Sequence, residues 1–168
     1  GAASPLTSSS PSISNTASTA PIALISPASP ARLTILPATG AVITSLVLDA
    51  NYDLTGATFD AASNRIFLTE NNGAGTRIVI INPSTGALTG SFTAPYNVQT
   101  WSGLAIDPTT GHLWLGAVNG GPQVVEYLIG AGGSLTELRR VNLTAQNLNQ
   151  NEISGLSFDS SGKLWIAS

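Results

Sequence analysis

SGLAIDPTTGHLWLGA (residues 102–117) is an apolar run, an Asp-led polar turn and a second apolar run, and nearly the same phrase stands twice more in the chain. TGATFDAASNRIFLTE (55–70) and SGLSFDSSGKLWIAS (154–168) superimpose on it, with Gly56, Gly103 and Gly155 separated by 47 and 52 residues. Asp, Asn, Pro and Gly satisfy or relax a tight backbone, so each copy reads as two strands joined by a turn. A second hairpin follows each of the first two copies, TRIVIINPSTGALTGSFTA (76–94) and PQVVEYLIGAGGSLTELRRV (122–141). Ahead of the first copy, ARLTILPATGAVITSLVLD (31–49) matches the 76–94 hairpin, with PATG standing where NPSTG stands. The spacing predicts an all-β chain of four-stranded antiparallel units repeating at the period of a propeller blade. No window of helical length sustains a 3.6-residue apolar period.

The phrase S/T-G-L-x-x-D-x-x-x-G-x-L-W-L/I resembles the blade repeats of NHL, YVTN and gluconolactonase-like β-propellers, and the resemblance covers residues 32–168. It implies about three blade equivalents, namely an outer half at 32–49, two full blades, and an inner half at 154–168. A propeller ring closes with about four to eight blades. The blade split between the two ends is therefore expected to be completed by another copy, through strands at 32–49 and 154–168. Two copies would give a closed six-bladed ring, and a relation that does not close would give a filament. The other reading is that the stretch belongs to a longer monomeric propeller.

Residues 1–31 form a separate Ser/Thr/Pro-rich segment, with no charge, twelve Ser or Thr and five of the ten prolines. Such a composition reads as an extended tail or stalk, one that would suit O-linked sugars. Within it PIALI (21–25), bounded by prolines, could dock as an edge strand. The start at GAASPL fits removal of a secretory signal. Charged residues are only 9% of the chain and the net charge is −3, so the surface opposes self-association weakly and offers no basic stripe for nucleic acid. No apolar stretch is long enough for a membrane span. The chain has no cysteine, which removes disulfides, thiolate metal sites and a cysteine nucleophile.

Candidate ligand residues lie in the loops leading into the innermost strands, LDANYDLTG (48–56), APYNVQTWSG (94–103) and QNLNQNEISG (146–155). Asp53, Thr100 and Glu152 each stand three residues before the repeated glycine, where they would rim the axis, and Trp101 could stack on a ligand. In the gluconolactonase-like group an acidic residue near this place helps hold a divalent cation, so the resemblance implies Glu152 as the best match. Asp49, Asn51 and Asp53 form D-x-N-x-D, a spacing that turns oxygens toward a hard cation, and calcium is the one ion the sequence suggests. His112, the only histidine, stands where Arg65 and Lys163 stand in the other copies and reads as a solvent-facing strand start, not a general base. Trp114 and Trp165 occupy equivalent places and are expected in the core. Asn142-Leu143-Thr144 is an N-glycosylation sequon. No catalytic set emerges and no cofactor is expected. The sequence favours a secreted or surface-exposed, non-enzymatic propeller that self-assembles or binds a glycan or protein, with a metal-dependent lactonase- or esterase-like hydrolase as the rival.

Overall fold

The computed structural model describes residues 22–26, 32–36, 44–47, 54–71, 76–93, 103–118, 121–146 and 153–168. Apolar β-branched and aromatic residues recur through the segments that become strands, and polar turns separate them. Strands β4 (Leu54–Asp60), β5 (Arg65–Asn71), β6 (Thr76–Ile81) and β7 (Leu88–Thr93) form one complete antiparallel sheet in chain order. A second complete sheet contains β8 (Leu104–Ile106), β9 (Leu113–Val118), β10 (Pro122–Ile129) and β11 (Leu135–Asn142). The last pair, β12 (Gly155–Phe158) and β13 (Leu164–Ala167), forms a two-stranded sheet. The four-stranded antiparallel units expected from the repeat are thus present twice, followed by an inner half.

At the other end β1 (Ile22–Ser26), β2 (Arg32–Leu36) and β3 (Thr44–Val47) form a three-stranded antiparallel sheet in the order β1-β2-β3. The apolar run bounded by Pro21 and Pro27 therefore supplies a strand to its own chain. β1 lies against β4, β4 against β8, and β8 against β12, so the sheets follow one another with the leading described strand of each beside that of the next.

Each of the two complete sheets buries one face against the sheet that follows it. Phe67, Ile78 and Ile80 of the first complete sheet pack on Leu104, Leu113, Leu115, Val125 and Tyr127 of the second. Phe92 and Tyr127 meet edge to face, with ring centroids 5.7 Å apart. Trp114 and Val124 pack with Leu143, Ile153 and the apolar side chains of β12 and β13. A fully buried side chain of this size contributes about 2 kcal/mol, and that layered burial fixes the order of the sheets. The close approach explains a repeated glycine: a Cβ on Gly103 would stand 2.5 Å from the Leu156 nitrogen.

Candidate functional site

Each hairpin between the first and second strands is closed by its own aspartate. Asp107 Oδ1 accepts from the Thr109 amide at 2.8 Å, and Asp159 Oδ1 accepts from the Ser161 and Lys163 amides at 2.9 and 3.0 Å. Asp60 caps the corresponding turn through Ala62 and Ser63. These caps hold the following strand in register, and so they place one aromatic residue in each copy. Phe67 stands opposite Thr58, Trp114 opposite Ala105, and Trp165 opposite Ser157. The three residues share a position but not an environment: Phe67 is 0% exposed, Trp114 6% and Trp165 60%.

The contrast has a direct cause. A following sheet covers Phe67, and β12 with β13 covers Trp114, whereas no sheet among the described residues lies beyond Trp165. The expectation that Trp165 is a core residue is corrected on that ground. Its indole N–H donates to Asp159 Oδ2 at 3.2 Å, and Lys163 Nζ stands 5.9 Å from the ring centre. The Ser161 hydroxyl and the Lys163 amide, with the indole N–H, hold the Asp159 carboxyl down at about 2, so it stays an anionic acceptor that orients the ring. Beside Trp165 runs a shallow groove of about 260 Å³ whose lining includes Gly155, Ser157 and Ala167. β13 pairs with β12 on one side and with no described strand on the other. The result is an apolar face beside a strand edge that no described strand pairs.

A second feature lies inside the second complete sheet. Glu126, buried on β10, accepts from Arg139 Nε at 2.5 Å, and its other oxygen is 2.7 Å from His112 Nδ1. Burial raises the Glu126 pKa, but hydrogen bonds from His112 and Arg139 outweigh it and hold the carboxyl below its usual range. Arg139 also stacks over Trp114 at 5.1 Å, and the buried Trp114 Nε1 has no acceptor among the described residues. His112 is therefore not the solvent-facing strand start expected of it. It is half-buried because its cross-sheet partner is an acid that needs a cation or donor. A signal was present, since Glu126 interrupts the apolar run QVVEYLI.

Asp49, Asn51, Asp53, Thr100, Trp101 and Glu152, the axial and calcium candidates, lie outside the described residues. Among the described residues no three His, Asp or Glu side chains gather to hold a metal ion, and no helix is long and apolar enough to cross a membrane. Asn142 is exposed at the end of β11, and its Oδ1 accepts from the Thr144 amide at 2.8 Å.

No protein-family model matches the chain, and no curated protein matches it in sequence. In structure it is similar to a gluconolactonase from Xanthomonas campestris, with a TM-score of 0.53 and 18% identity over 82% of this chain and 41% of that one. It is also similar to a protein of unknown function from Bacteroides caccae, with a TM-score of 0.50 and 11% identity over 80% of this chain and 46% of that one. The sheets are propeller-type blades. The chain spans less than half the length of either of these structures. In blade terms, Phe67 and Trp114 are inter-blade residues, and Trp165 holds the equivalent position with no blade beyond it among the described residues.

Proposed function

We propose that this chain is a non-enzymatic, extracellular β-propeller module whose work is assembly: copies join through the half-blade of β12 and β13 to make a closed ring or a filament. The observation that carries the reading is the 60% exposure of Trp165 at a position that is 0% and 6% exposed in the two complete blades. Covering an indole contributes about 2–3 kcal/mol, and pairing the open edge of β13 adds ladder hydrogen bonds. The sparse charge of the chain opposes such contacts little, and together with the Ser/Thr/Pro-rich segment it supports an extracellular setting.

Mass measurement in solution with electron microscopy tests this. The native chain is expected to form species larger than 17.1 kDa, as dimers for a closed ring or polymers for a filament. Trp165→Arg is expected to leave a folded monomer. A native chain that stays a folded monomer at high concentration overturns the proposal.

The gluconolactonase in the comparison supports a second reading, a metal-dependent lactonase- or esterase-like hydrolase with Asp53 and Glu152 at the axis. Lactone hydrolysis that requires added Ca²⁺ or Zn²⁺ and is abolished by Glu152→Gln would decide for it.

A further inference from the structure

We infer that β1 is an internal stand-in for β13 of a second copy, and that assembly proceeds by strand exchange in which the incoming β13 displaces β1 from the edge of β2. The inference rests on the assembly reading above and names the segment that must move.

Backbone register carries it. By sequence β2 matches β6, Arg32–Leu36 aligning with Arg77–Ile81. In the complete blade, Ile66, Phe67 and Leu68 of β5 pair with Ile81, Ile80 and Val79 of β6. In the N-terminal sheet, Ile22, Ala23 and Leu24 of β1 pair with Leu36, Ile35 and Thr34 of β2. By its register on β2, β1 therefore holds the second-strand place of a blade, although it packs on β4 and no first strand precedes it in its sheet among the described residues. β13 holds the same position in its own sheet, where among the described residues a first strand is present and third and fourth strands are not. Placing β12 and β13 on β2 and β3 makes one four-stranded blade and leaves β1 over.

The two competing strands also read alike. β1 is IALIS and the 164–168 stretch is LWIAS. They differ most at the inter-blade position, where Ala23 of β1 stands at the register place of Phe67, Trp114 and Trp165. β1 can satisfy the ladder of β2, but it brings a methyl group to a place where every other blade brings a ring. Such a strand protects the edge against indiscriminate pairing and still yields to one that buries more. Exchange within one chain is excluded by geometry, because a ring of three blades is too small to close.

The absence of native cysteine makes a cross-linking test clean. Two double variants of the whole chain are needed. Leu24→Cys with Thr34→Cys locks β1 onto β2 within the chain. Thr34→Cys with Ile166→Cys places thiols at the pair expected after exchange, since Ile166 corresponds to Leu24. Oxidation is expected to hold the first variant as a monomer that assembles again on reduction, and to give the second a disulfide between copies. Ala23→Pro with Leu24→Pro, which spoils β1 as a strand, is expected to lower the concentration needed for assembly about tenfold, equivalent to about 1.4 kcal/mol. If the locked chain assembles as well as the reduced one, or if assembled copies of the second variant form no disulfide between the two substituted positions, exchange is wrong while assembly stands. If even the reduced and proline-bearing chains remain monomeric, both readings fall.

Discussion

Asn64, Gly111 and Gly162 hold the same place at the end of the turn between first and second strands, with φ of 51°, 71° and 80°. That left-handed conformation costs an ordinary L residue about 1–2 kcal/mol, and Asn tolerates it better because its short polar side chain bonds locally. Nothing lies within 4 Å of a Cβ built on Gly111, so a substitution there tests the backbone alone. Gly111→Ala is expected to lower unfolding free energy by about 1 kcal/mol, read from urea denaturation, and Gly111→Asn by distinctly less. Equal losses for both would assign the cost to something other than φ. These turns were the most legible part of the sequence, because Asp at the start and Gly or Asn at the end are demanded by interactions within five residues. The aromatic position that follows them was legible too. Whether each ring was covered was not, since that depends on a sheet contributed from far away in the chain.

From β10 the buried Glu126 ties β11 and the residue just before β9 together through Arg139 and His112. Its folded pKa is depressed, so the stability it contributes is fully present above the ordinary glutamate range and is lost as pH falls through the lower folded value. Melting temperature should therefore drop on acidification below about pH 4.5. Glu126→Gln should cost about 2 kcal/mol at neutral pH and flatten the acid limb. The limb should not vanish, since hydrogen bonds within their turns outweigh desolvation at Asp107 and also hold Asp159 low. An acid limb identical in the variant would show that Glu126 is not linked to folding. The sequence exposed the oddity of an acid inside QVVEYLI but not its partners, because cross-strand register decides which side chains meet. The equivalent place in the preceding blade is Ile80, so the repeat offered no precedent for the charge.

For the whole chain, the face proposed for assembly is apolar and the molecule carries only fifteen charged residues at a net −3. Association driven by such a face should respond weakly to screening and strongly to temperature. The concentration at half-assembly is expected to change less than about twofold between roughly 0.05 and 0.5 M salt and to rise on cooling, as followed by light scattering. A steep dependence on salt would mean that charge pairs, not the Trp165 face, hold copies together. The order of the blades was legible at this scale because repeats announce themselves. The partner of β2 was not, since a five-residue apolar run specifies a strand without specifying its neighbour. The aspartate caps carry one more consequence, for the route by which the chain folds. Each inner hairpin closes with contacts only a few residues apart, so the entropy of ordering it is small and it can form early. The outer strands then add along a preformed edge, and neighbouring blades stack in pairwise steps. The last hairpin thus needs no later segment to take shape: it reaches its native geometry first and meets its neighbour afterwards.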